Sequence, residues 1–188
     1  HEVDYTDIYT EGITKITAMD VRYAKELGRS IKLLAISKKT DDKYFAIVAP
    51  FMLSPEHPMF GVNGVFNSIM VKGNVSGPLM FYGSGAGKLP TAGAVIADVI
   101  AATRNMGRGV MSIWDGTKLP VEDKGELTSR FFLRISGSRA AKEEELRKLF
   151  EIETVVELPG EDEFGVVTGP MTEKAFDGKQ ASLEGVLG

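Results

Sequence analysis

A strand and a helix meet at Phe81-Tyr82-Gly83-Ser84-Gly85-Ala86-Gly87-Lys88-Leu89-Pro90-Thr91-Ala92, and the closely spaced glycines between them constrain the fold more than any other stretch. Glycine has no Cβ and enters positive φ freely, so such a loop turns sharply and leaves bare backbone open to a neighbour. The helix that follows presents unpaired N–H groups and the positive end of its dipole to whatever lies on the loop. Pro90 suits a first helical turn. Two phosphate-binding patterns fail here. A P-loop would need glycine at Tyr82 and a hydroxyl at Leu89, and the G-x-G-x-x-G fingerprint fits Gly83 and Gly85 but meets Lys88 in place of its third glycine. By pattern alone a tight structural turn and a ligand contact are equally supported.

With 188 residues, 43% of them apolar, the chain has enough length for one domain or two small ones. A net charge of −4 with dispersed cations forms no basic stripe, which argues against nucleic acid as a partner. Every apolar run is interrupted before membrane-spanning length, so no membrane span is expected. The first residues, His1-Glu2-Val3-Asp4, lack the basic start and apolar core of a signal peptide. The absence of cysteine excludes disulfides, thiolate metal sites and cysteine nucleophiles, and two histidines are too few for a histidine-rich metal cage.

Periodicity sets out the elements. Thr17 caps a helix, with Asp20 reaching back to complete a capping box, Val21, Ala24 and Leu27 on one face, and Gly28 ending it. Ile31 to Ile36 reads as a buried strand, Lys38 to Lys43 as a charged hairpin turn, and Tyr44 to Leu53 as the return strand. Val65 to Lys72 and Val75 to Tyr82 form a second hairpin around Gly73-Asn74. Pro90 to Asn105 is a helix with Val95, Ile96, Val99 and Ile100 in one apolar stripe and a narrow alanine face beside it. The glycine- and charge-rich residues 107–128 read as an irregular crossing and linker, in which Trp114 is an anchor. Beyond it come a strand at Phe131 to Ile135, a helix at Ala140 to Phe150 with Leu146, Leu149 and Phe150 inward, strands at Thr154 to Leu158 and Phe164 to Thr168, and a weak helix at Lys174 to Leu183. That order, β-α-β-β-α, is that of a small ferredoxin-like module, with Val186-Leu187 as its closing strand. The expected fold class is therefore α+β: a mixed or antiparallel sheet with helices on one face, followed by the small module. Lys88, His57, Asp98 and Glu11 read as a solvated charge, a loop residue, a structural bond on the polar side of the long helix, and a turn acid that orients substrate or holds structure.

The words Asp7 to Thr17 (DIYTEGITKIT), Ala24 to Gly28 (AKELG), Ile31 to Ile36 (IKLLAI), His57-Pro58, Val62 to Asn67 (VNGVFN), Met80 to Gly83, Gly85-Ala86-Gly87 and Ala97-Asp98, in this order from Asp7 to Met106, resemble homoserine dehydrogenase. The resemblance implies an oxidoreductase that uses NAD or NADP to interconvert L-aspartate 4-semialdehyde and L-homoserine in threonine and methionine biosynthesis. It implies a cytoplasmic homodimer whose sheet pairs with its copy through strands such as Ile31 to Ile36 or Val65 to Lys72. Residues 1–106 correspond to the later half of the substrate and dimerisation domain, 107–128 to the linker, and 129–188 to a truncated ACT-like domain. Gly137-Ser138-Arg139 stands where ACT domains carry an acid followed by Pro-Gly, so a structural module is expected there rather than an effector site.

The resemblance also assigns roles. The glycine loop is implied to touch the nicotinamide side of the cofactor, with Gly87 foremost, Gly85 and Ala86 supporting it, and Thr91 capping the helix or bonding near the cofactor. The family's Rossmann domain and its catalytic aspartate and lysine precede the stretch that corresponds to residue 1, so no catalytic residue is assigned, the cofactor is held mainly outside this chain, and the chain alone is expected to be inactive. The competing reading is a stand-alone amino-acid-binding regulatory or assembly module without catalysis.

Overall fold

The computed structural model describes residues 2–40, 43–109 and 115–188. In chain order the elements are β1 (Tyr9–Thr10), α1 (Ala18–Glu26), β2 (Ser30–Thr40), β3 (Lys43–Leu53), β4 (Phe66–Gly73), β5 (Gly77–Ser84), α2 (Lys88–Arg104), β6 (Thr128–Ser129), β7 (Phe132–Ser136), α3 (Arg139–Leu149), β8 (Ile152–Glu157), β9 (Glu163–Thr168), β10 (Met171–Thr172) and α4 (Glu173–Gln180). They form an α+β fold, as expected, in two compact units: His1–Met52 with Gly116–Gly188, and Leu53–Asp115.

The first unit contains a three-stranded sheet in the order β1-β3-β2, with β1 parallel to β3. α1 begins at the expected capping box: Thr17 Oγ1 accepts from Asp20 N, and the Asp20 carboxylate accepts from Thr17 N at 2.7 Å. It ends at Leu27, after which Gly28 takes φ +66°. β2 departs from expectation. It runs on through Lys38, Lys39 and Thr40 in place of turning there, and Leu33 and Ile36 are exposed. The strand lies at the edge of its sheet, where charged and polar side chains are at home, whereas the central β3 buries Ala46, Ile47 and Ala49. Of the expected turn, Asp41 and Asp42 lie outside the described residues, as does Trp114.

The ferredoxin-like module follows the predicted order. β7, β9 and β8 form an antiparallel sheet in that spatial order, Phe132 facing Val167 and Val155 facing Val166. Gly185 to Gly188 run along the free edge of β7. Ser136 N donates to Gly185 O at 2.9 Å, Leu187 N to Arg134 O at 2.8 Å, and Val186 bridges Ile135 antiparallel. One face of the sheet supplies Leu133, Ile135, Phe164 and Val166 to a core closed by Leu146 and Phe150 at the end of α3 and by Phe176 of α4. Alternation sends Phe132 and Arg134 to the opposite face, where Tyr23 of α1 lies against the Phe132 ring with 5.6 Å between centroids. On α3, Arg139 and Arg147 clamp Glu143 from either side, and their hydrogen bonds pull its carboxyl down to about 2.

In the second unit β4 and β5 pair antiparallel over their whole length, from Phe66 opposite Ser84 to Gly73 opposite Gly77, with α2 following. No residue of α2 is buried. Val95, Ile96, Val99 and Ile100, expected as one stripe, are all about half exposed, as are Ile69, Val71, Leu79 and Phe81 of the hairpin. No helix among the described residues is long and apolar enough to cross a membrane.

Candidate functional site

The glycine loop closes the open end of the β4–β5 hairpin. Phe66 and Tyr82 stack with 4.9 Å between ring centroids, and Gly85 N donates to Val65 O at 2.9 Å, so the chain is held in place until the last residues before α2. Gly87 is the N-cap, at φ 121° and ψ 149°, a conformation an L side chain rarely adopts. Having no side chain, it leaves the first turn of the helix without the hydrogen bond a serine or aspartate would provide. Thr91 N donates to Gly87 O at 3.0 Å. Ahead of that first helical bond stand the N–H groups of Lys88 and Leu89, while Pro90 has none.

Of the residues singled out in the sequence, the fold brings Gly87 and Thr91 together. With Lys88, Ala92, Val95 and Ile96 they line one open depression along the start of α2. Ala86 is exposed beside them, and Gly85 faces back toward β4. Thr91 does not cap the helix: it sits four residues past the N-cap, inside the first turn, and the positive φ at Gly87 sets the helix start instead. Lys88 is exposed, as its reading as a solvated charge requires. His57 Nδ1 accepts from Met59 N at 3.1 Å within the turn that holds it. Asp98 is exposed and makes no bond among the described residues, so the structural bond expected of it is not formed. Tyr9 of β1 and Glu11 just after it form a network: Tyr9 Oη donates to Glu11 at 3.0 Å, Lys15 bonds the same carboxylate, and Lys124 Nζ lies 4.0 Å from the Tyr9 ring centroid. Glu11 is thereby engaged in holding β1.

A dinucleotide fits the loop in one respect. Bare backbone at Gly87 and two donors at an uncapped helix start are suited to an amide or phosphate oxygen. The larger part of a dinucleotide cradle, a parallel doubly wound sheet with its own glycine fingerprint, is not formed by the described residues. Nor do those residues gather three or more histidine or acidic ligands for a metal.

One polar cluster was marked in the sequence only through its capping box, Thr17 and Asp20, and not through Arg134 and Glu163. Arg134, in the centre of β7 and buried, donates through Nε and Nη2 to both oxygens of Glu163 at 3.0 and 2.7 Å. Its Nη1 reaches Asp20 Oδ1 and Thr17 Oγ1, each at 3.1 Å. Hydrogen bonds donated to Glu163 and Asp20 outweigh burial and raise the pKa of the guanidinium further. At Asp20 burial works against the charged form, but Thr17 and Arg134 together hold the carboxyl below its ordinary value. The Tyr23 hydroxyl, which donates to Glu163 O at 3.1 Å, is pushed up to about 12 by burial and by the Glu163 charge. The one sequence signal for the rest of the cluster was an arginine set alone within an apolar strand.

Residues 1–100 match the family model for homoserine dehydrogenase. The homoserine dehydrogenase of Corynebacterium glutamicum is 44% identical over 134 residues, which are 68% of this chain and 30% of that protein. The Helicobacter pylori enzyme is 40% identical over 129 residues, 69% of this chain and 31% of its own length. The chain thus spans about a third of the curated relatives it matches. Among solved structures, a homoserine dehydrogenase from Thiobacillus denitrificans superposes with a TM-score of 0.77 at 29% identity, covering 98% of this chain and 46% of that one. The Staphylococcus aureus enzyme at pH 7.0, with a TM-score of 0.69 at 24% identity, covers 97% and 46% and shares the fold. The hairpin, glycine loop and long helix all lie within or against the matched stretch, and on that match the chain belongs to the homoserine dehydrogenase family.

Proposed function

We propose that these residues form the later part of the substrate and dimerisation region of an NAD- or NADP-dependent homoserine dehydrogenase, joined through residues 107–128 to a truncated ACT-like module at 129–188. The reaction is the interconversion of L-aspartate 4-semialdehyde and L-homoserine in the cytoplasm, by a homodimer. The observation that carries this reading is the uncapped start of α2 at Gly87, set at the end of a fully paired hairpin inside the family match. The nicotinamide, when bound, supplies or accepts the hydride.

The chain's own part is positioning. Gly87 admits a planar amide close to the backbone, and a methyl there would strain φ while meeting the Pro90 ring only in ordinary van der Waals contact, 3.4 Å away. The donors of Lys88 and Leu89 orient an oxygen, Gly85 and Ala86 shape the approach, and Thr91 borders the same depression. Homodimerisation is supported by the edge position of β2 and by the exposed apolar side chains of β4.

Nicotinamide-dependent oxidation of homoserine, measured on this chain and on the longest reading frame that contains it, tests the reading. Turnover is expected from the longer protein and not from the 188 residues alone. Absence of turnover in both, or steady turnover by the short chain, overturns it.

A further inference from the structure

The two central glycines of the loop are bare for different reasons. Gly87 is required by its backbone, at φ 121°. Gly85 does not take a positive φ, and what excludes a side chain there is another residue. An ideal Cβ built on Gly85 falls 1.5 Å from Asn67 Nδ2, 2.4 Å from Cγ and 3.1 Å from Cβ. The Asn67 side chain therefore fills the space that any larger residue at 85 would need, and even a rotation about its last bond would not clear Cγ and Cβ together.

Asn67 reaches that place by sheet geometry. On β4 it stands directly opposite Gly83 of β5, and its side chain leans along the diagonal to the residue two further on. Gly83 offers no side chain to block the way. Gly85 is at the same time tied by its N–H to Val65 O at 2.9 Å, so two residues before the helix cap the loop is held by a backbone bond and has the Asn67 side chain packed against it. Only Ala86 separates this grip from Gly87.

We propose that Asn67 is a positioning residue for cofactor binding: its amide, seated on Gly85, fixes the turn that presents the bare Gly87 backbone and the first-turn donors of α2 to the nicotinamide. Asn67 acts through the loop and not by touching the reacting atoms. The inference rests on the cofactor reading of the loop proposed above.

Steady-state kinetics on the longest reading frame test it with Asn67→Ala, Gly85→Ala, the double variant and Gly87→Ala. Asn67→Ala is expected to raise the cofactor KM about tenfold, the order of loss for a residue that supports a ligand contact through another, while kcat and the homoserine KM stay unchanged. Gly85→Ala displaces the same amide and gives a similar rise. The double variant is no worse than either, because both substitutions remove one contact. Effects that multiply in the double variant, or an unchanged cofactor KM in Asn67→Ala where Gly87→Ala raises it, overturn the positioning role and leave the cofactor reading intact. An unchanged cofactor KM in all four, Gly87→Ala included, removes the cofactor reading and the inference with it. Asn67 is exposed, so its variant should keep the parent Tm. A loss of Tm and kcat together without a change in cofactor KM marks a structural residue and also overturns the proposal.

Discussion

The ferredoxin-like module, with three strands and two helices, closes its own core, and the hairpin-and-helix unit, with two strands and one helix, does not. β7 and β9 send Leu133, Ile135, Phe164 and Val166 into full burial beneath α3 and α4. α2, longer than either helix, buries nothing, and its valines and isoleucines are about half exposed. Apolar content is therefore no guide to which part is self-sufficient. The module's sheet is covered on one face by helices of its own and on the other by α1, whereas the apolar side chains of β4, β5 and α2 stay exposed.

The comparison predicts where damage is greatest. Arg134→Ala should destabilise the first unit by about 3–5 kcal/mol, because Glu163 and Asp20 are left buried without their cation. Chemical denaturation would show this, and a loss below about 1 kcal/mol, the range of exposed ion pairs, would mean the cluster is solvated in solution. Acid should act on the same cluster. The Asp20 carboxyl lies below its unfolded value, so its contribution is complete above the ordinary aspartate range, about 3.9, and is lost as pH falls through the lowered folded value. Tm of the parent should drop below about pH 4, and Arg134→Ala should flatten that drop. Smaller again is Thr17→Ala, at about 1 kcal/mol for the lost helix cap, with any excess assigned to its bond with Arg134. The smallest effect on stability belongs to the exposed hairpin. Ile69→Lys should change the stability of the separated chain by no more than about 0.5 kcal/mol while abolishing the proposed dimer in sedimentation. An intact dimer would move the interface off this strand.

The comparison also explains how much the sequence disclosed. The capping box at Thr17 and Asp20 and the existence of β7 and β9 were legible because local spacing and composition determine them. The full length of β2 was not, since the run Ser37-Lys38-Lys39-Thr40 has a turn-like composition and becomes a strand by pairing at a sheet edge. Thr91 was open to two roles, a helix cap or a bond near the cofactor, and the first rested on a hydroxyl near a helix start being the usual device. Here a positive φ at glycine serves instead, and no side chain signals it. The Arg134 cluster joins residues 29 and 114 positions apart, and Asn67 meets Gly85 through strand register. Pairings of that kind have no local pattern to find. Gly85 and Gly87 could be named as special from the sequence, but the different reasons for each lay in the fold.

The most direct test of the loop's role is the cofactor KM of Gly87→Ala, measured in the longest reading frame that contains these residues. If the bare, positive-φ helix start receives the nicotinamide, that KM rises at least about tenfold while the homoserine KM holds. An unchanged cofactor KM in a folded Gly87→Ala enzyme would contradict it and reduce the glycine loop to a turn between strand and helix.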